Sequence, residues 1–134
     1  MAYSGFLVKV GDYELPLKFI KADSYSVYRN TQELDSYRDA NGKLHRSALE
    51  HMPNKVEFDT VSMLTNVQFE EFMSNIRNQY TSTVERKASV TLYIPEINDY
   101  VTQDMYMPDI QPTIYLANNE IIKYNSVHVS FIGY

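Results

Sequence analysis

The sequence predicts a mostly-β fold of the α+β type: a two-sheet β-sandwich or partial barrel of mainly antiparallel strands with one flanking helix. Three observations point there. Apolar and polar residues alternate with period two in segment after segment. A single stretch, about residues 65–80, changes to the period of a helix. The connections are mostly short, which favours antiparallel pairing. With 134 residues, the chain suits one domain over 1–134, able to bury roughly two-thirds of the surface exposed when unfolded.

Gly5 to Val10 reads as a short apolar strand. Gly11-Asp12 is a turn signal, and Tyr13 to Leu17 resumes as a second strand. Pro16 lacks a backbone N–H, so this strand belongs at an edge or stops there. Ser24 to Arg29 alternates as a half-buried strand does. Residues 30–43 are polar and contain Asn41-Gly42, a dipeptide suited to a type I′ hairpin, in which both central residues take positive φ. Ser36 to Asp39 and Lys43 to Arg46 are therefore expected as the arms of a protruding hairpin, about 31–46. Lys55 to Thr60 places Val56 and Phe58 inward, with Glu57 and Asp59 outward.

The helix begins at Thr65, a good N-cap, with Gln68 three residues on to complete a capping box. Phe69, Phe72, Met73, Ile76 and Tyr80 then fall on one stripe. Period two returns with Ala88, Val90, Leu92 and Ile94, and Pro95 ends that strand. Tyr100 to Met107, Pro112 to Leu116, Ile121 to Tyr124 and Ser126 to Ile132 read as the remaining strands. In the last, Val127, Val129 and Phe131 face one way, and His128, Ser130 and Ile132 the other.

Composition narrows the function. The net charge is −5, and no basic run is present, so tight, direct nucleic-acid binding is not expected. Residues 1–67 carry eight Lys/Arg against nine Asp/Glu, and residues 68–134 four against eight, so the acidic excess lies mainly in the C-terminal half. The absence of Cys excludes disulfides and thiolate metal sites. The start, MAYSGFLVKV, has no charged leader region, and no apolar run approaches the ~20 residues that span a bilayer, so neither export nor membrane insertion is expected. Twelve Tyr and six Phe with no Trp suit strands with one dry and one wet face, and Tyr is also enriched where proteins meet.

No catalytic pattern emerges. Setting Gly42 at the sixth position of a calcium loop puts Asp39 and Asn41 at the third and fifth. It also puts Tyr37 and Ala48 where the first and twelfth oxygen ligands belong. His45, His51 and His128 do not share a zinc spacing. Phosphate-cradling glycine motifs, nucleophile elbows and zincin signatures are absent. No residue stands out as nucleophile, base, cofactor ligand or metal ligand, and the reading is non-enzymatic. What stands out is the hairpin, where Tyr37, Arg38, Asp39, Asn41, Gly42, Lys43, His45 and Arg46 bring an aromatic, a carboxylate and several cations onto one protrusion. Tyr and Arg often dominate interface energetics, and Arg can clamp a carboxylate bidentately. These eight residues are the candidate subunit interface.

Three stretches together carry a resemblance: Gly5-Phe-Leu-Val-Lys-Val-Gly-Asp-Tyr-Glu-Leu-Pro16, Leu34 to Arg46 and Lys55 to Thr60, with Phe131-Ile-Gly-Tyr134 closing the chain. The sequence resembles a family of small tail proteins encoded by phages and prophages of Gram-positive bacteria. Those proteins look like relatives of the distal tail hub and tail-tube subunits of long-tailed phages. The resemblance implies a β-sandwich or partial barrel whose hairpin reaches the next subunit, and a self-assembled ring, commonly hexameric, around a channel. It implies a structural place at the distal tail, joining tube to tip, with tube, tape-measure and tip or spike proteins as neighbours. The protein would be made in the host cytoplasm and reside in the virion tail. A tail-tube or terminator subunit is the close alternative. A host-wall carbohydrate-binding module, with Tyr93, Tyr100 and Tyr106 stacking on sugars, is the alternative from another class.

Overall fold

A computed structural model describes residues 3–134. Met1 and Ala2, the first residues of the segment read for a leader, lie outside the described residues. Strand β1 (Val8–Val10) turns at Gly11 into β2 (Tyr13–Glu14), and Pro16 ends β2 and precedes a 3-10 turn, Leu17–Phe19. Then come β3 (Ser26–Tyr28), β4 (Tyr37–Arg38), β5 (Leu44–His45) and β6 (Lys55–Asp59). A short β7 (Leu64–Thr65) leads into helix α1 (Asn66–Arg77). The chain closes with β8 (Lys87–Ile94), β9 (Asp99–Tyr106), β10 (Ile114–Ala117), β11 (Ile122–Tyr124) and β12 (His128–Gly133).

The paired strands are antiparallel. Seven form one sheet in the order β2-β1-β8-β9-β12-β6-β3. This sheet stays open, with β2 and β3 at its edges, and no barrel closes. The strands do not divide into two sheets of similar size. A three-stranded sheet, β10-β11-β7, stands beside α1, and β4-β5 forms a separate two-stranded ribbon. The apolar stripe of α1 supplies cover that a sandwich takes from a second full sheet.

The period-two pattern explains the sheet's two faces. Val8 pairs with Leu92 and Val10 with Val90, while Phe58 pairs with Val129 and Val56 with Phe131. All eight are wholly or almost wholly buried, because directly opposite side chains share a face. From the helix come Phe69, Phe72, Met73 and Ile76, which join the same core. Phe72 meets Phe19 edge-to-face, with centroids 5.7 Å apart. The capping box is complete: the Gln68 backbone N–H donates to Thr65 Oγ1 at 3.2 Å, and the Thr65 N–H donates to Gln68 Oε1 at 3.1 Å. The helix ends at Arg77, short of Tyr80, which packs against the core from the following turn.

One glycine is fixed by close approach. A Cβ on Gly133 would lie 2.5 Å from Gln103 Oε1, 2.9 Å from Pro53 Cα and 3.0 Å from Asn54 N. The crossing is held by hydrogen bonds. Gly133 N donates to Asn54 O at 2.8 Å, and Gln103 accepts from Asn54 N at 2.9 Å while donating to Met52 O at 3.0 Å. Segment 52–54 is thereby pinned where it enters β6.

Two substitutions test this packing. Phe72→Ala leaves a cavity between helix and sheet and is expected to cost about 3–5 kcal/mol in denaturant unfolding. Gly133→Ala pushes on the Pro53–Asn54 backbone as well as on the end of Gln103, and is expected to cost about 1–3 kcal/mol in the same measurement.

Candidate functional site

Two arms leave the body. The first connects edge strand β3 to β6, and nearly every residue from 29 to 53 on it is exposed or half-exposed. It is zipped beyond its central ribbon. Leu34 N donates to Ser47 O and Leu49 N to Gln32 O, each at 2.8 Å. The hairpin therefore extends outside the 31–46 span expected from the sequence.

Its tip is not the type I′ turn that Asn-Gly suggests. Asp39 N donates to Lys43 O at 3.0 Å and Gly42 N to Asp39 O at 2.9 Å, so the loop holds three residues, Ala40, Asn41 and Gly42. Gly42 takes positive φ, +80°, and Asn41 does not. This is a turn followed by one left-handed glycine, the usual solution for a three-residue hairpin loop. Asp39 decides it. Its Oδ1 accepts the backbone N–H groups of Asn41 at 2.9 Å and Lys43 at 3.0 Å. Its Oδ2 lies 2.9 Å from His45 Nε2, a contact that requires this nitrogen to carry the proton. The His45 contact, with the Lys43 N–H behind it, holds the Asp39 carboxyl below the ordinary aspartate range.

The eight residues assigned from sequence are thus brought together, but several serve each other. Tyr37 stacks flat on His45, 4.8 Å between centroids. Arg38 Nη1 donates to Gly42 O at 2.9 Å, and Arg46 is paired with Glu33. Glu33 is held below the ordinary glutamate range mainly by that arginine, with Ser36 contributing. Among the described residues, Lys43 is the cation of the group whose side chain has no ion pair or hydrogen bond. The arm is braced by its own side chains.

The second arm is β10 with β11, joined by the Asn118-Asn119 turn, in which Asn118 Oδ1 accepts from Glu120 N at 2.8 Å and Ile121 N at 2.9 Å. Every residue from 111 to 120 is exposed, including Ile114 at 56%, Tyr115 at 61% and Leu116 at 44%. Tyr115 sits at a register shift between Ile114 and Leu116. The sequence reading assigned a strand here but no role. The available signal is that Ile-Tyr-Leu-Ala lacks the polar alternation that would mark one face as wet.

A pocket of about 530 Å³ lies beside α1. Phe69 and Met73 of the helix, Tyr80, Ile110 and Tyr124 give it apolar walls. Arg77 and Arg86 add cations. Arg77 is paired with Glu70 at 2.9 Å. Arg86 pairs with Asp109 at 3.5 Å and donates from Nη2 to Met107 Sδ at 3.2 Å, while its buried Nε has no acceptor among the described residues.

On the outer face of the large sheet, the tyrosines considered for sugar stacking contact other rings. Tyr93 meets Tyr3 and Tyr100 edge-to-face, Tyr100 stacks on Phe6 at 4.6 Å, and Tyr106 meets Tyr134 edge-to-face. Tyr134 donates to Glu85 at 2.7 Å, and this bond raises its phenol to about 12. Among the described residues, no three His, Asp or Glu side chains gather as a metal site, and no helix is long and apolar enough to cross a membrane.

Over residues 1–134 the chain matches a family of unknown function (DUF6711), and it belongs to that family. No curated protein matches it in sequence. Its fold is similar to that of a chain in the solved tail of an empty GTA particle with C6 symmetry, with a TM-score of 0.50 and 14% identity. That similarity covers 99% of this chain and 95% of the other.

Asp39 supplies a pH test. Its folded carboxyl titrates below its unfolded value, so its bracing is complete above the unfolded value, about 3.9, and is lost as pH falls through the lower folded one. An NMR titration is expected to place the Asp39 midpoint below the ordinary value. His45→Ala is expected to raise it towards that value. An unchanged midpoint in that variant rejects the histidine as the main cause.

Proposed function

We propose that the protein is a structural subunit of a phage-like tail that assembles into a sixfold ring and requires no catalysis. The observation carrying this reading is the likeness of the whole fold, over nearly the full length of both chains, to a chain in a C6-symmetric tail. The arms add to it. Ring closure needs two different, complementary surfaces on each subunit, and both arms expose side chains well beyond the core.

Two placements are open to such a ring. The neighbouring tail was solved with helical refinement, which favours a repeating tube subunit. The resemblance of the sequence to tail proteins of Gram-positive phages and prophages favours a distal hub joining tube to tip. Electron microscopy of the purified protein distinguishes them: a tube subunit stacks into long cylinders, whereas a hub stops at one or two rings. Protein that stays monomeric at high concentration rejects both.

The first arm is proposed as one contact surface, with Tyr37, Lys43 and the braced tip facing the next subunit. Arg38→Ala combined with Arg46→Ala removes the internal supports at Gly42 and Glu33. Ring formation by light scattering is expected to fall at least about tenfold in concentration dependence, the equivalent of losing ~1.4 kcal/mol per contact. The thermal midpoint is expected to stay nearly unchanged, because these residues lie outside the core. Unaltered rings reject this surface.

A further inference from the structure

Among the described residues, nothing covers the apolar side chains of the second arm or fills the pocket beside α1, and their chemistry matches. The geometry points to one copy's β10–β11 arm seating in the next copy's pocket, with Ile114 and Leu116 as apolar anchors and Glu120 directed to Arg86. This rests on the self-assembly reading and deepens it by assigning the contact.

The case begins with exposure. An isolated surface Leu needs no explanation, but a run of Ile114, Tyr115 and Leu116 on a projecting edge strand forms an apolar patch of the kind that marks contact sites. Exposed edge strands are also aggregation liabilities unless something covers them. The arm does not fill its own chain's pocket. Strand β11 separates β10 from β7, and it is Tyr124 of β11 that lines the wall. The pocket, in turn, offers aromatic and thioether walls suited to branched aliphatic side chains.

Charge selects the same pair. Glu70 neutralises Arg77, so the cation left for an incoming chain is Arg86, whose carboxylate partner among the described residues is the 97% exposed Asp109 at 3.5 Å and whose Nη2 donates to Met107 Sδ at 3.2 Å. The Arg86 side chain is 31% exposed, and an incoming carboxylate would give this guanidinium a second, charge-assisted hydrogen bond, stronger than its thioether contact. Glu120 sits at the arm's turn, is exposed, and its carboxylate makes no ion pair among the described residues. Because arm and pocket are different surfaces of one chain, the contact is head-to-tail. Repeated with a closing rotation, it makes a ring.

The chain has no cysteine, which allows a clean test. A tagged Ala117→Cys chain, altered at an exposed β10 residue beside the anchors, is mixed with an untagged Thr83→Cys chain, Thr83 being an exposed residue of the pocket lining. The mixture is treated with a short bismaleimide and resolved under denaturing conditions. The mixed dimer is expected to exceed either homodimer by on the order of a hundredfold, because docking raises the local concentration from micromolar towards millimolar. Adding Ile114→Asp to the tagged chain, with folding checked by circular dichroism, is expected to abolish that excess. Rings visible by electron microscopy without an excess of mixed dimer overturn this contact and leave self-assembly standing. An excess that survives Ile114→Asp overturns the apolar anchor. Monomers alone overturn both readings.

Discussion

The rest of the structure depends on how the dry face of the seven-stranded sheet is covered. Val8, Val56, Val90, Leu92 and Val129 have no exposed surface, and Phe72 and Ile76 of α1 share that core. At about 25 cal/mol per Å² of apolar surface removed from water, this face is the main favourable contribution to folding. It also fixes register, since a slip of one residue would turn every buried side chain to solvent. The capping box at Thr65 and Gln68 starts the helix where its stripe can serve that face.

A core completed by helix, sheet and Tyr124 of β11 leaves the first arm and β10 free of packing duty. Each then faces the entropy of ordering an exposed segment, and the two answer it differently. The first arm is held by its own polar groups, Asp39 at the tip, Arg38 on Gly42 and Arg46 on Glu33, and at its root by Gln103 of β9. The second is held by strand pairing with β11, which is itself paired to β7, and its apolar side chains remain exposed. A pre-braced polar arm loses little freedom on docking and favours specificity. An apolar arm supplies the area from which affinity comes. The chain thus carries one exposed surface of each kind.

Local order dominates what could be read in advance. The buried stripe of α1 followed from Phe69, Phe72, Met73 and Ile76 because helical period maps directly onto one face. The alternation in β6, β8 and β12 followed for the same reason with period two. The hairpin was visible through Asn41-Gly42, yet its turn type was not. Asn-Gly propensity favours two left-handed residues, and three hydrogen bonds to the Asp39 side chain outweighed it. Of the eight hairpin residues, their convergence was legible, but not that Arg38 and Arg46 would be engaged within the arm.

The sequence by itself determined the elements that carry a period: one helix, the half-buried strands, and the stops at Pro16 and Pro95. It also excluded disulfides and thiolate metal sites, since the chain has no cysteine. Only the tertiary structure decided that seven strands join one open sheet, that Gly133 yields space to Pro53 and Asn54, and that β10 projects while a pocket opens beside α1. The physical reason is distance along the chain. Periodicity reports the face a residue presents, whereas the pairing of β1 with β8, or of β12 with β6, depends on contacts between segments far apart, which no local pattern encodes.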